Sequence, residues 1–564
     1  MTGLTDPDDD GPLFTVLTPV FHPEPDHFRE MVDSVRRQSE PAWELILVFD
    51  GPHPHELVAI AESTGDARVR TVFREENGGI SRASNDGLAV ARGTFVALLD
   101  HDDTLASFAL SSCREAIEQW PDADVLYSDE DKLSPEGRRT GPFVKPQFSP
   151  DWLRCHMYLN HLGVYRRELV EDVGGFRPEF DGAQDHDLAL RTTERARRVV
   201  HIPRVLYHWR QVDTSTAADP ESKSWAYDAG VRVVQSALER QRVPATAKRR
   251  PGYMGIVDLE PTLRETPLVS VVIPTAGGCR SIIGERMRLI DRCLASIRDH
   301  TTYPSIEVVV VVDSTAPSGL EDELRHVGVD NLTFVRNTRP FNFSEACNLG
   351  RDHASGAYLV FLNDDTEVRT PGWIERLVLF AGLDGVGAVG VKLVYSDGRM
   401  QHIGLVSRDG MGHRSVGVPG DDVGPYGSYT VQTNVLSVTG ACLAVRTDRF
   451  DLVGGFTSIF PLAFNDLDLC MKLYRAGFRT VLEPQVTLVH HESSSRDPEV
   501  TDDEMDLLFE RWRHLLEDDP YDNPHLRYEE YDGVEQEQPP AYVLQLREML
   551  GLDAALAPRV WPPT

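Results

Sequence analysis

The sequence predicts an α/β fold built twice, each copy a doubly wound, mostly parallel sheet flanked by helices. Three observations point there. Short apolar runs bounded by polar residues, FTVLTPV (14–20), ELILVFD (44–50) and FVALLD (95–100), read as strands buried on both faces. Between them, residues 25–38 carry Phe28, Met31, Val32 and Val35 at helical spacing after Pro25. The pattern then returns in one register: 263 residues separate Asp50 from Asp313, Ser81 from Ser344, Asn85 from Asn348 and Gly93 from Gly356. That period is far too long for a solenoid and marks a duplicated domain.

The first copy opens with FTVLTPV, which resembles VSVVIPT (269–275), and continues with ELILVFD, which resembles EVVVVVD (307–313). The string GGF recurs at 174–176 and 454–456, and DHDL (185–188) matches DLDL (466–469), now 281 residues apart, so the second copy has gained residues between these blocks. We expect a first domain over 13–245, a linker over 246–266, a second domain over 267–530 and an acidic tail over 531–564. The seam is polar and carries Pro251 and Gly252, as linkers do. Residues 503–519 read as an amphipathic helix packed on the second domain, and Trp209, Trp225, Trp373 and Trp512 as core or interface aromatics.

Of 564 residues, 41% are hydrophobic and 26% charged, values of a soluble globular chain. The formal charge of −32 argues against nucleic acid as a partner by Coulomb repulsion. No run approaches the ~20 apolar residues of a membrane helix, and MTGLTDPDDDGP lacks the apolar core of a secretory signal. The expectation is a cytoplasmic protein, with Lys248, Arg249 and Arg250 as a local basic patch for peripheral contact with a membrane surface. Seven cysteines, an odd number with no CxxC spacing, read as reduced and mostly buried thiols.

Ligands of such sheets sit beyond the carboxyl ends of the strands, where Asp50, Asp100, Asp313 and Asn363 fall. Asp100, Asp102 and Asp103 follow one buried strand directly, and Asn363, Asp364 and Asp365 follow its counterpart. Clustered carboxylates repel unless a cation sits among them, and Mg²⁺ on a diphosphate uses one or two carboxylates beside phosphate oxygens and water. By register Asp102 pairs with Asp365, and these two are the expected metal ligands; an acidic turn capping the next helix is the plainer alternative. Asp50 and Asp313 either cap helices or accept bonds from a nucleotide's base or ribose. The loop NGGIS (77–81), with Asn77 and Ser81, precedes a helix and aims N–H groups at a phosphate or makes a simple turn; the second copy reads RPFNFS (339–344) there, with Ser344.

These motifs occur in a fixed order: a proline at the first strand's end, a strand-end aspartate, Ser-x-x-x-Asn-x-Gly, a DxD-like cluster, GGF and DxDL. Together they resemble inverting glycosyltransferases of family 2, which have a GT-A fold. The strings YSDEDK (127–132), FVKPQFSPDWL (143–153), YHWR (207–210), VTGACLAVR (438–446) and VHHES (489–493) are similar to tandem bacterial enzymes that build O-antigen, capsule or cell-wall glycans. The resemblance covers about residues 13–530. It implies a catalytic base at Asp185 and Asp466, with Gln184 and Asn465 replacing the acid that usually precedes it. It implies donor contacts at Pro19, Val20, Asp50, Asn77, Ser81 and Asp100, and at Pro274, Thr275, Asp313, Ser344, Asn363 and Asp364. It implies a late metal-ligand histidine at His208 and at His490, with His491 as the alternative to the latter. The cofactor would be Mg²⁺ or Mn²⁺. The donor would be a UDP-, dTDP- or GDP-sugar. The acceptor would be a glycan or lipid-linked glycan, met at the inner membrane or a polysaccharide export system.

Three function classes follow. The first is a bifunctional transferase with two active sites; the second is one transferase with a degenerate acceptor-binding copy. The third, a nucleotidyltransferase, lacks a Gly-rich Arg/Lys signature near the first strand. Both copies keep a metal aspartate, a base aspartate and a histidine, which favours the first.

Overall fold

A computed structural model describes residues 11–211, 224–253, 255–282, 285–407, 412–491 and 502–523. The tail 531–564, the first ten residues, and Glu492 and Ser493 of the VHHES string lie outside them.

The apolar runs are strands, and Trp43–Phe49 and Val269–Thr275 are buried along their whole length. The first copy forms a nine-stranded sheet. Its main path runs Val69–Phe73, Trp43–Phe49, Phe14–Val20, Phe95–Leu98, Gly163–Arg166, Val125–Leu133, Val199–Arg210, Thr104–Leu105, and the ninth strand, Arg139–Phe143, pairs with Val125–Leu133. The second copy repeats that order within a ten-stranded sheet: Leu332–Asn337, Ile306–Asp313, Val269–Thr275, Tyr358–Leu362, Cys442–Arg446, Val386–Val394, Arg479–His490, Thr366–Val368. The first four strands of each are parallel, so their carboxyl ends share one edge. The fifth runs antiparallel to both neighbours, so the residues just before it arrive at that same edge.

The helix read over 25–38 spans Pro25–Arg36 and buries Phe28, Met31, Val32 and Val35. The helix Asp502–Glu517 packs Leu508, Trp512, Leu515 and Leu516 on Leu467 and Met471 of the second copy. Among the described residues no helix is long and apolar enough to cross a membrane.

Three features differ from the sequence reading. The seam is not an open linker: Ala245–Arg249 and Val257–Pro261 pair as an antiparallel hairpin. Its Ala245, Ala247, Val257 and Leu259 alternate into a core shared by both copies, a period-2 pattern hidden within a polar composition. The basic patch is neutralised locally, since Lys248 pairs with Glu260, Arg249 with Asp228 and Arg250 with Asp258. Trp225 is 54% exposed, lying over Gly182, whereas Trp373 and Trp512 are fully buried.

The two copies are locked by a buried polar seam. Asp151, from the FSPDWL string, is fully buried at the start of helix Pro150–Cys155. Its carboxylate accepts bonds from Arg154 (2.6 Å), from Arg479 of the second copy (2.5 and 3.2 Å) and from the Asn434 amide (2.8 Å). Asn434 Oδ1 in turn accepts from the Ser149 hydroxyl (3.0 Å) and the Asp151 N–H (3.2 Å). Burial alone would raise the Asp151 pKa, but Arg479 and Arg154 outweigh it and hold the carboxyl far below its ordinary range. Phe143 stacks on Tyr426 at 3.6 Å, and Asn523 returns from the second copy to donate to the Lys145 carbonyl (2.5 Å).

Removing one member of such a buried pair strands the others, at a cost of about 3–5 kcal/mol. Asp151→Ala is expected to lower stability by that amount in denaturant melts, with Asn434→Ala costing less. A depressed carboxylate contributes stability that is present above the unfolded-state pKa and lost as pH falls through the folded one. The difference between wild type and Asp151→Ala therefore shrinks below about pH 4.

Candidate functional site

The strand ends of the second copy open on a cavity of about 460 Å³. It gathers Pro274, Thr275, Asp313, Asn363, Asp364, Asp365, Asp466 and His490, so of the second-copy residues expected from sequence only Ser344 is not in its wall. Parallel pairing explains the gathering: Pro274 and Thr275, Asp313, and Asn363–Asp365 end or follow three adjacent strands. The antiparallel strand Cys442–Arg446 brings Thr439, Gly440 and Ala441 to the same wall. These three lie in the VTGACLAVR string but had no role in the sequence reading, because only pairing direction places them here.

Asp466, in the first turn of helix Asn465–Arg475, is held at both oxygens. Oδ2 accepts the Gly440 N–H (2.7 Å) and Oδ1 the Leu467 N–H (2.8 Å). Each oxygen keeps a further lone pair for a substrate proton. Asp313 Oδ1 accepts from the N–H and hydroxyl of Thr315 (2.9 and 2.6 Å). Thr275 donates to Asp364 (2.5 Å) and bridges two strand ends.

The first copy repeats the plan with different side chains. Asp185 accepts its own helix's His186 N–H (2.7 Å) and the Asn160 side-chain amide. Strand pairing places Val164 opposite Ala97 and Ala444 opposite Val360, so Asn160 stands where Gly440 stands and His161 where Ala441 does. Asp100 opens to the cleft, yet the surrounding walls raise its pKa. Asp102 and Asp185 raise it further, against the pull of His161 and His101. Asp100, Asp102 and Asp185 are thus one electrostatic cluster. The His101 ring bonds to the Pro19 carbonyl (3.3 Å), where the second copy has the Thr275–Asp364 bond.

The YSDEDK and FVKP strings support this segment from behind. Fully buried Lys145 donates to Glu130 (3.0 Å) and to the carbonyls of Asn160 (2.7 Å) and His161 (2.8 Å). The His161 ring stacks on Tyr207 at 4.5 Å. Burial would lower its pKa, but Glu130, Asp100 and Asp103 carry it up to about 9, so it is cationic at neutral pH.

Other expected donor contacts are engaged inside the fold. Asp50 accepts the N–H groups of Gly78 (2.9 Å) and Gly79 (3.0 Å) and pairs with Arg74 (2.8 Å), so it organises the NGGIS loop; Asn77 accepts from Gly79 N (3.0 Å) within that loop. The Val20 carbonyl accepts the Asp50 N–H (3.0 Å). Ser81 and Ser344 are fully buried and donate to the carbonyls of Arg177 (3.4 Å) and Phe460 (2.6 Å). Asn85 and Asn348 each hold the GGF phenylalanine through its N–H and C=O, at 2.8 Å for Asn85 and at 3.0 and 2.8 Å for Asn348. Gly175 and Gly455 have φ of +66° and +65°, and a Cβ there would lie 2.6 Å from the asparagine oxygen. The Ser-x-x-x-Asn repeat therefore clamps a helix to the GGF turn.

The two late histidines are not equivalent. His490 lies opposite Thr366, and its Nε2 is 3.0 Å from Asp365 Oδ1. His208 lies opposite Thr104, which puts Trp209 opposite Asp103, the register counterpart of Thr366. One residue of slip turns a strand side chain to the other face, and His208 bonds to Asp131 instead (2.6 Å). His491 bonds to Glu367 (2.8 Å) and Ser396 (2.7 Å) and lies outside the cavity wall. The 3.0 Å between Asp365 and His490 is about the spacing of adjacent ligands on an octahedral ion with ~2.1 Å bonds. Asp365 Oδ1 is buried without a well-formed hydrogen bond. A carboxylate and an imidazole suit Mg²⁺ or Mn²⁺ completed by phosphate and water. Among the described residues no three His, Cys, Asp or Glu side chains form a protein-only cation site.

Comparison with known proteins identifies the family. Residues 15–174 and 270–447 match the family model described as glycosyl transferase family 2, once per copy. The chain is 38% identical over 544 residues to the uncharacterized protein y4gI of Sinorhizobium fredii, covering 93% of this chain and 58% of that protein. It is 36% identical over 533 residues to the O-antigen biosynthesis protein RfbC of Myxococcus xanthus, covering 91% of this chain and 40% of that one. It thus spans less than two thirds of the length of either relative. A crystal structure of S. aureus TarS 1-349 in complex with UDP-GlcNAc aligns at a TM-score of 0.34 and 20% identity, over 40% of this chain and 66% of that one, too loosely to place a residue.

The clamp generates a test. Asn348→Ala leaves the Phe456 N–H and C=O without their partner and is expected to cost about 1–3 kcal/mol in a melt. Ligand affinity of the folded protein should stay unchanged, because Asn348 is not in the cavity wall.

Proposed function

This chain belongs to glycosyl transferase family 2, and we propose that each copy moves a sugar from a nucleotide-sugar donor to a growing bacterial surface glycan with inversion. The observation that carries the reading is the duplicated aspartate, Asp185 and Asp466, held at both oxygens beside strand-end carboxylates. The relation to an O-antigen biosynthesis protein supports a polysaccharide or lipid-linked glycan as acceptor.

An acceptor hydroxyl is a poor nucleophile until a positioned base takes its proton. In the second copy Asp466 receives that proton as the hydroxyl oxygen bonds to the anomeric carbon. The bond to the diphosphate breaks on the opposite face, which inverts the centre. Pinning by Gly440 and Leu467 keeps the carboxylate in place. Asp313 uses only one oxygen internally and leaves Oδ2 toward the nucleotide. Asn363 and Asp364 line the same wall. A divalent cation held by Asp365 and His490 would neutralise charge on the leaving diphosphate. In the first copy Asp185 is the base, and Asp102 beside Asp100 would hold the cation, with no counterpart of His490 among the described residues.

A second reading, with the first copy serving to bind acceptor without transfer, draws support from two engaged side chains. Asp50 is occupied by its own loop and His208 by Asp131. The intact Asp185 arrangement weighs against it.

Two outcomes test the proposal. Asp185→Asn and Asp466→Asn should each abolish one transfer step, at least 100-fold, and spare the other when its acceptor is supplied, as read by mass spectrometry of products. An Asp185→Asn chain that still makes both linkages would establish the second reading. Chelation should remove transfer at both sites, and Asp365→Ala should remove the divalent-dependent part of nucleotide binding at the second. Full activity in excess chelator would contradict the cation's role.

A further inference from the structure

The second copy carries an element that the first lacks. In the first copy only Phe21–Glu24 separate strand Phe14–Val20 from helix Pro25–Arg36. In the second, the stretch between Val269–Thr275 and helix Leu289–His300 forms an antiparallel hairpin of Cys279–Ile282 and Glu285–Arg288.

The hairpin is anchored at both ends. Gly277 turns with φ +70°, and a Cβ there would sit 2.8 Å from Leu320 and 3.3 Å from Pro317, so the turn is tucked against the loop that follows Asp313. The Gly278 carbonyl accepts the Leu289 N–H (3.2 Å). Arg288 closes the stem by pairing with Asp291 (3.1 Å) and Glu323 (2.6 Å). Arg280 is different. It is exposed, lines the donor cavity, and has no acidic partner among the described residues.

Charge gives Arg280 a task. The cavity wall holds Asp313, Asp364, Asp365 and Asp466, and Arg280 is its one Lys or Arg among the described residues. A diphosphate entering there meets four carboxylates. The first copy offers a cation at His161, but the second has Ala441 at that position. The two copies thus place positive charge at their strand ends from different elements.

We propose that Arg280 binds the diphosphate of the second copy's donor, so that the hairpin acts as a diphosphate clamp specific to that copy. This rests on the donor-site reading above. A guanidinium matches two phosphate oxygens in one plane, which an ammonium or imidazole does not.

The experiment is calorimetric titration of the full chain with UDP, dTDP and GDP in Mn²⁺, comparing wild type with Arg280→Gln and Arg280→Lys. Arg280→Gln should weaken second-site binding of the nucleotide that binds by about 10- to 100-fold. First-site affinity and melting temperature should not change, and Arg280→Lys should recover part of the loss. The equivalent loss should appear with neutral-sugar and uronic-acid donors of that nucleotide. A loss confined to the uronic-acid donor would overturn the proposal in favour of a sugar carboxylate. Unchanged binding by Arg280→Gln would overturn it and leave the donor site standing. A wild-type second site that binds no nucleotide would overturn both.

Discussion

Both candidate sites hang from the buried carboxylate of Asp151. It takes charge from Arg154 in its own copy and Arg479 in the other, and is bracketed by Asn434. The helix that Asp151 opens presents the Leu153 carbonyl to His186 (2.6 Å), next to Asp185, and the chain then runs to Asn160, which holds the Asp185 carboxylate. On the other side, Arg479 begins the strand that ends at His490, and Asn434 lies in the strand leading to Thr439 and Gly440. A misplaced Asp151 would disturb Asp185 and Asp466 through covalent chain and short hydrogen bonds. An isolated buried carboxylate is costly, and only docking of the second copy supplies Arg479 and Asn434. The copies are therefore joined through one shared buried charge.

Within each copy the duplication preserved what constrains backbone and released what meets ligand. Thr15 with Glu44 and Gly93, and Ser270 with Glu307 and Gly356, make the same buried triad. Asn85 and Asn348 make the same clamp on the GGF turn. At the strand ends the partners differ: Asn160 against Gly440, His161 against Ala441, His101 against Asp364, Asp100 against Asn363. Asp185 and Asp466 keep one geometry through a side-chain amide in one copy and a backbone N–H in the other. The proposal of one reaction on different donors or acceptors expects that pattern.

Strand ends were legible in the sequence because a buried parallel strand announces itself as an apolar run and its last residue must face the ligand edge. Asp313 and Asn363–Asp365 are legible that way, whereas the DxDL aspartates open helices and stand out only through the family resemblance. Residues that depend on pairing direction were not legible: Gly440, Asn160 and His161 precede an antiparallel strand whose sense no periodicity reveals. His208 departs from the expectation for a related reason. YHWR and VHHES align by eye, but a one-residue difference in strand register sends His208 to Asp131 and His490 to Asp365. The seam's hairpin is not legible because its alternating small apolar residues are masked by lysines and arginines between them. Ser81 and Ser344 illustrate the converse, a repeat that marks a packing constraint and not a contact.

The central claim is that one chain holds two built donor sites. Native mass spectrometry or calorimetry of the intact protein, saturated with its nucleoside diphosphates and Mn²⁺, counts them directly. The account predicts two nucleotides per chain, one lost in Asp102→Ala and the other in Asp365→Ala. A single nucleotide per chain, removed entirely by one of those substitutions and untouched by the other, would contradict it.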